Sequence, residues 1–86
     1  MWHVYVLKSG AKRWYYIGST NRLERRIQEH NQGKVISTKA YRPLILVYKE
    51  QFDTELNARQ REHQLKGKRI AKEEIIRQIE SHGGIV

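Results

Sequence analysis

The sequence predicts a small α/β domain whose elements follow in the order ββαβαα. Three observations support this class: the first residues alternate as strands do, later segments repeat apolar residues at helical spacing, and single glycines separate the segments. A chain of 86 residues can bury one core only. We therefore expect one domain over residues 1–82, followed by a short C-terminal tail over residues 83–86.

The first two strands are predicted to form a hairpin. Trp2 to Lys8 alternates and is rich in aromatic and β-branched residues, and a second such run extends from Arg13 to Gly18. Whether the turn between them has two or four residues, the register is the same, and Tyr5 then faces Tyr16 directly. Tyr15 lies on the opposite face of the hairpin in this register.

A first helix is predicted from about Arg22 to Asn31. Asn21 is expected to be its N-cap, with Glu24 in the position that completes a capping box. Gly33 suits the position just past its end.

The helical wheel of this first helix separates two adjacent arginines. Leu23, Ile27 and His30 form one stripe, and Arg26 borders it, whereas Arg25 points away. Arg26 is therefore expected to lean over the sheet with its guanidinium in water, and the alternative is a fully solvated side chain.

A third strand and two more helices complete the order. After a basic connection over residues 34–41, Pro43 opens an apolar strand from Leu44 to Tyr48. The second helix is capped by Asp53 or Thr54 and ends near Lys66, before Gly67. The third helix stops at Gly83-Gly84 and is expected to bury a stripe made of Ala71, Ile75, Ile76 and Ile79.

One acidic residue interrupts the apolar face of the second helix. Ala58, Glu62 and Leu65 have the spacing i, i+4 and i+7, so Glu62 lies between two apolar residues. The alternative is a purely structural role, in which Glu62 pairs with Arg59 or Lys66 along its own helix.

The charge is unevenly distributed. Seventeen Lys and Arg against nine Asp and Glu give a net charge of +8. Residues 1–52 hold ten basic and three acidic side chains, whereas residues 53–86 hold seven and six. This asymmetry predicts one positive face and favours nucleic acid as the partner, ahead of an anionic membrane surface.

Several classes of protein are excluded by what the sequence lacks. Without cysteine there is no disulfide, thiolate zinc site or cysteine nucleophile, and a reducing compartment is favoured. The longest apolar run is too short to span a bilayer, and no signal peptide is recognisable, so we expect a cytoplasmic protein. No nucleotide-binding glycine motif, HExxH or GxSxG is present, and no small-molecule cofactor is expected.

Four elements, taken in order, resemble the GIY-YIG nuclease superfamily. His3-Val4-Tyr5 and Tyr16-Ile17-Gly18 resemble its paired tripeptides, its helical arginine falls on Arg26, and its acidic metal ligand falls on Glu62. The resemblance extends from Trp2 to about Lys66. It is strongest to a small stand-alone bacterial group related to the nuclease domain of the excision-repair incision subunit.

The chain departs from the family pattern in three places. The first tripeptide lacks its glycine, and His30 stands where repair members have a tyrosine, although homing enzymes of the superfamily look similar there. Ser19 stands where repair members have a lysine. Another base is then needed to assist the tyrosine, and the candidates are Lys8, Lys12 and Arg13.

The resemblance implies a three-stranded antiparallel sheet flanked by helices and metal-dependent hydrolysis of DNA. In this interpretation Tyr5 is the general base, Tyr16 positions water or phosphate, Arg26 neutralises charge at the phosphate, and Glu62 holds one Mg²⁺ or Mn²⁺. His30 is either a proton-transfer residue or a surface residue at a helix end. No DNA-recognition domain is appended, so we expect selection of DNA structure rather than sequence, in repair or recombination.

The main alternative is a basic nucleic-acid-binding module without catalysis, in which the tyrosines stack or pack. A weaker alternative is an interaction domain for a partner nuclease. Glu62 favours the enzyme, because a carboxylate on a phosphate-binding face repels nucleic acid unless a cation intervenes. DNA is the expected partner and RNA is possible, and the expected contacts to its backbone are Lys8, Lys12, Arg13, Arg22, Arg25, Lys34, Lys39, Arg42 and Lys66.

Overall fold

The computed structural model describes residues 1–81, which form one three-stranded antiparallel sheet with helices packed on both faces. Its elements are β1 (Trp2–Ser9), β2 (Tyr15–Thr20), α1 (Leu23–Asn31), α2 (Ile36–Lys39), β3 (Leu44–Phe52), α3 (Glu55–Gly67) and α4 (Arg69–Ser81). The predicted fold class and order are confirmed, with the single-turn α2 added inside the basic connection. The predicted stop at Gly83-Gly84 and the tail over residues 83–86 lie outside the described residues.

The hairpin pairs two residues later along β2 than the turn pattern predicts. Tyr5 pairs with Gly18, and Tyr16 pairs with Leu7. The predicted direct pairing of Tyr5 with Tyr16 was therefore wrong. A shift of two residues keeps every side chain on its face, so the two tyrosines still share one face of the sheet.

The loop between β1 and β2 explains this shift. The amide of Ser9 donates to the carbonyl of Trp14 at 2.9 Å, which makes residues 10–13 the loop. The hydroxyl oxygen of Ser9 accepts the amides of Ala11 and Lys12, both at 3.1 Å. These bonds satisfy the polar backbone of the loop and hold it one residue later than expected.

The sheet separates two apolar clusters. On the side of α3 and α4, the buried residues are Val4, Val6, Ile17, Val47, Ala58, Leu65, Ile75 and Ile79. On the side of α1, Tyr5, Leu7 and Leu44 are buried, and Leu23 and Ile27 pack against them. The predicted stripe of α4 is confirmed at Ile75 and Ile79, while Ala71 and Ile76 are partly buried.

The ends of the helices follow local signals only in part. The N-cap residue of α1 is Arg22, so the prediction of Asn21 was wrong. No side chain caps the first turn of α1, and β2 extends to Thr20, whose hydroxyl accepts the amide of Arg22 at 3.0 Å just before the helix. Gly33 has φ +79° just past α1, and Thr54 caps α3, as predicted. None of the helices in residues 1–81 has the length and apolar character needed to cross a membrane.

β3 extends four residues beyond its predicted end at Tyr48. It pairs with β1 from Ser9 with Leu44 to Trp2 with Phe52, with one irregularity at Val47. Backbone pairing with β1 therefore carries the strand through a polar stretch that its own sequence does not mark as a strand.

Candidate active site

The candidate residues meet at β2, which is an edge strand of the sheet. Side chains alternate along a strand, so Tyr16 and Gly18 face α1, whereas Ser19 faces α3. Tyr5 lies on the α1 side, next to β2, and Glu62 reaches the same edge from α3. The edge strand thus brings together residues from both faces of the sheet.

Close packing of tyrosine side chains against β2 requires a glycine at position 18. A Cβ there would lie 2.6 Å from the hydroxyl oxygen of Tyr5 and 3.0 Å from Cε2 of Tyr16. The absence of a side chain lets the ring of Tyr5 lie across β2. This is a physical reason for the last residue of the second tripeptide.

Gly18→Ala is expected to destabilise the fold by about 1–3 kcal/mol, because the methyl group displaces a buried ring. Denaturant unfolding measures this change. Gly67→Ala is the matched control: its Cβ meets nothing within 4 Å in the described residues, and it ends a helix, so stability should stay equal or rise. A wild-type unfolding free energy for Gly18→Ala would contradict the placement of Tyr5.

A buried chain of hydrogen bonds begins at Tyr5. Its hydroxyl lies 3.0 Å from Nε2 of His30, and Nδ1 of His30 lies 2.8 Å from the hydroxyl of Thr38. Thr38 donates its own proton to the carbonyl of Val35. The network therefore assigns a proton to Nδ1 of His30, so that Nε2 accepts the proton of Tyr5.

His30 is not the surface residue that was one of its two interpretations. It is fully buried, and burial, followed by the positive charge of Arg26, lowers its pKa to about 4. The imidazole is therefore neutral at pH 7. Its partner Thr38 was missed, because a threonine in a short polar connection carries no signal of such a role.

The hydroxyl of Tyr5 is protonated at neutral pH. Burial and then the neighbouring Tyr16 raise the pKa of Tyr5 to about 12, and only the guanidinium of Arg26 opposes them appreciably. The rings of Tyr5 and Tyr16 lie with their centroids 6.3 Å apart. Tyr5 therefore needs a proton acceptor before it can act as a base.

The two adjacent arginines of α1 differ as the helical wheel predicts. The side chain of Arg26 is 39% exposed and that of Arg25 is 66% exposed, although both pair with Glu29. Of these two arginines, only Arg26 lies close enough to Tyr5 to affect the pKa of the tyrosine. Arg26 thus combines a guanidinium in water with a position beside the tyrosine.

Glu62 is ionised and held from two sides. Its oxygens accept a hydrogen bond from the hydroxyl of Ser19, across on β2, and one from Lys66 at 2.7 Å. Although burial opposes ionisation, these two bonds lower the pKa of Glu62. The alternative pairing with Lys66 along the helix is therefore present, but Glu62 also contacts the edge strand.

Residues 1–74 match the family model described as the GIY-YIG catalytic domain. The chain belongs to the GIY-YIG family. This membership places it among nucleases, whose substrate is nucleic acid. Within this GIY-YIG domain, the second tripeptide, Tyr16-Ile17-Gly18, forms the centre of β2. The first tripeptide, His3-Val4-Tyr5, which lacks the glycine of the family pattern, lies in β1.

The relatives of this GIY-YIG chain are small proteins of similar length. A UPF0213 protein of Natronomonas pharaonis is 42% identical over 73 residues, which cover 84% of this chain and 85% of the relative. The UPF0213 protein YazA of Bacillus subtilis is 39% identical over 72 residues, covering 83% and 72%. A UPF0213 protein of Halobacterium salinarum is 35% identical, covering 88% and 99%. No solved structure matches the chain.

The bases expected to assist the tyrosine lie elsewhere in this GIY-YIG domain. Lys8 donates to the carbonyl of Ser9 at 3.4 Å, Lys12 is 5.4 Å from the ring centroid of Tyr41, and Arg13 pairs with Glu80. In residues 1–81, the lysine that does reach a candidate tyrosine is Lys66, whose Nζ lies 5.5 Å from the ring centroid of Tyr16. The hairpin loop is about five residues, or ~16 Å, from Gly18, which explains the separation.

The other basic residues expected to contact nucleic acid fall into separate groups. The hairpin end carries Lys8, Lys12 and Arg13, the start of α1 carries Arg22 and Arg25, and the connection to β3 carries Lys34, Lys39 and Arg42. Most of these side chains are exposed. These basic residues expected to contact nucleic acid are therefore spread over three segments of the chain.

One carboxylate is available for a divalent ion at this edge. Within residues 1–81, no three His, Asp or Glu side chains cluster as a metal site. Mg²⁺ is commonly held by one or two carboxylates, with water and substrate phosphate as the remaining ligands. Ionised Glu62, with the hydroxyl of Ser19 beside it, fits this type of site.

Proposed function

We propose that this GIY-YIG protein is a metal-dependent endonuclease that hydrolyses DNA phosphodiester bonds. It selects DNA structure rather than sequence, and it serves DNA repair or recombination. One observation carries the proposal: Tyr5, Tyr16, Arg26 and Glu62 come from four different elements, and the last three all lie close enough to Tyr5, beside Gly18, to affect its pKa.

Arg26 supplies fixed positive charge. A phosphodiester repels hydroxide through its own charge, and further negative charge develops as water attacks. The guanidinium is planar and always charged, so it stabilises that charge without a change of protonation. Its partial exposure leaves donors free to reach a phosphate oxygen.

Tyr5 and His30 move the proton of the attacking water. Tyr5 takes a proton from water as it passes its own proton to Nε2 of His30, so no phenolate is needed beforehand. A bound phosphate offsets the charge of Arg26, which is one cause of the low pKa of His30. The substrate therefore makes His30 a better acceptor, while Tyr16 positions water or phosphate.

Glu62, together with Ser19, would hold one Mg²⁺ or Mn²⁺. When bound, the ion supplies positive charge to the phosphate and to the leaving oxygen. Because the protein offers one carboxylate, we expect the ion to bind more tightly when a substrate phosphate is present. Lys66 balances the charge of Glu62 and lies beside Tyr16.

The proposal is tested with a panel of labelled nucleic acids: a flap, a branched junction, a duplex, a single strand and an RNA. We expect cleavage of a branched or flapped DNA only when Mg²⁺ or Mn²⁺ is added, and affinity that falls steeply with salt. Salt-dependent binding without cleavage of any substrate would favour the inactive binding module.

Arg26→Ala and Arg25→Ala should differ although the residues are adjacent. Arg26→Ala should lower the single-turnover rate by about 10²–10³, because charge stabilisation at the phosphate is lost. Arg25→Ala should mainly weaken binding, in a salt-dependent way. Rates at saturating protein separate the two effects, and equal rate losses would show that Arg26 has no special position.

A further inference from the structure

A cavity of about 410 Å³ opens beside the candidate active site. It begins at Ser19, the partner of Glu62, and includes Arg26. Three further arginines line it, namely Arg22, Arg25 and Arg59, and its single carboxylate is Glu29. The cavity is therefore continuous with the proposed catalytic residues and has a strong excess of positive charge.

The arginines of this cavity are incompletely neutralised. Arg25 and Arg26 share one carboxylate, that of Glu29. Arg22 forms no ion pair within residues 1–81. Guanidinium groups that converge on one cavity repel each other, and an anion between them relieves that repulsion.

Arg59 is oriented by an aromatic neighbour. Its guanidinium carbon lies 5.9 Å from the ring centroid of Trp2, and its Nε bonds Glu55 at 2.6 Å. Trp2 also lines the cavity. The cavity thus receives cationic side chains from both α1 and α3, on either side of the edge strand.

We propose that this cavity binds a second phosphate group of the nucleic acid, next to the phosphate held by Arg26. Guanidinium groups bind phosphate oxygens through paired hydrogen bonds, and the cavity offers several of them. The role in cleavage rests on the proposed function, whereas phosphate binding itself does not. The phosphate is either a terminal monoester, with nearly two negative charges at neutral pH, or an internal diester with one.

The chain has two tryptophans, one lining the cavity and one outside it, whose signals can be compared when a ligand is added. Trp2 lines the cavity, whereas Trp14 stacks on Tyr41 with ring centroids 3.8 Å apart. The two indole N–H groups give separate NMR signals. The probes are inorganic phosphate and two short oligothymidylates that differ only in a 5′-phosphate.

We expect inorganic phosphate to shift the Trp2 signal in a saturable way and to leave the Trp14 signal unchanged. Arg22→Gln and Arg59→Gln should each weaken this binding about tenfold, as the loss of a charge-assisted hydrogen bond does. Arg69→Gln is the matched control for Arg59, because Arg69 also forms an i,i+4 pair, with Glu73, but lies on α4.

The outcomes separate the two proposals. Tighter binding of the 5′-phosphorylated oligonucleotide supports a terminal phosphate, and equal saturable binding of both supports an internal one. A Trp2 signal that responds to none of the three probes, or an equal loss in Arg69→Gln, overturns the subsite. A saturable Trp2 response in a protein that cleaves no nucleic acid keeps the subsite and rejects the proposed nuclease activity.

Discussion

Glu62→Gln should cleave no DNA substrate with either Mg²⁺ or Mn²⁺, while it folds as the wild type does. The amide retains the shape of the side chain and an oxygen that accepts the hydroxyl of Ser19, but it has no charge to hold a divalent ion. The loss of the partly exposed pair with Lys66 costs only about 0.3–0.5 kcal/mol. The measurements are single-turnover cleavage, Mn²⁺ binding and denaturant unfolding.

Glu73→Gln is the matched control for this variant. Glu73 forms the same kind of i,i+4 pair, with Arg69 at 2.9 Å, but on α4 and away from the edge strand. It should cleave at the wild-type rate and bind Mn²⁺ equally well. Cleavage at the wild-type rate by Glu62→Gln would exclude a metal-binding role for Glu62 and leave only its ion pair with Lys66.

Which side chains share a face could be predicted because it depends on local periodicity. Alternation along the strands placed Tyr5 and Tyr16 together, and this holds even though the register is shifted by two. The helical wheel separated Arg26 from Arg25 for the same reason. Strand alternation and helical periodicity can each be read from the residues of one strand or one helix, so no knowledge of the tertiary fold is needed.

The register could not be predicted from the hairpin alone, because contacts from distant residues act on its loop in addition to the bonds within the loop. The hydroxyl of Ser9 donates to the carbonyl of Tyr41 at 2.6 Å, and the amide of Gly10 donates to the carbonyl of Pro43 at 2.7 Å. The turn is therefore positioned by a segment some thirty residues away. No pattern in the hairpin itself records this.

The same limit applies to the candidate site. Thr38 bonds His30 from a connection whose sequence shows no pattern beyond being polar. Lys66 was visible as a partner of Glu62 along the helix, but its approach to Tyr16 depends on how α3 packs against the edge strand. Spacing along one element shows neither contact, since each joins two elements.

Tyr5→Phe should lower the single-turnover rate by about 10²–10⁴, the range typical of a lost general base. The variant keeps the ring that lies across Gly18, so packing is retained. It also leaves Nε2 of buried His30 without its donor, which should cost about 1–3 kcal/mol of stability. Cleavage at saturating metal and denaturant unfolding are measured together, under conditions where both proteins stay folded.

Two other tyrosines calibrate this result. Tyr15→Phe should leave the rate unchanged, because Tyr15 faces α4 and its hydroxyl contacts Glu80. Tyr16→Phe should impair turnover less than Tyr5→Phe, because water can replace a positioning hydroxyl more easily than a base. A rate loss in Tyr15→Phe alone would place the reaction on the other face of the sheet.

The dependence of the rate on pH distinguishes the proton path. With His30 as acceptor, its pKa of about 4 keeps it neutral, and the step that Tyr5 performs should be insensitive to pH between 6.5 and 9. As pH falls from 6.5 toward 4, the free energy of unfolding should decrease, because the unfolded chain then binds a proton that buried His30 does not. If Tyr5 instead reacted as a free phenolate with a pKa of about 12, this step would accelerate about tenfold per pH unit. The ratio of wild-type to Tyr5→Phe rates isolates this step from other titrations, and a ratio that rises tenfold per unit would exclude transfer to His30.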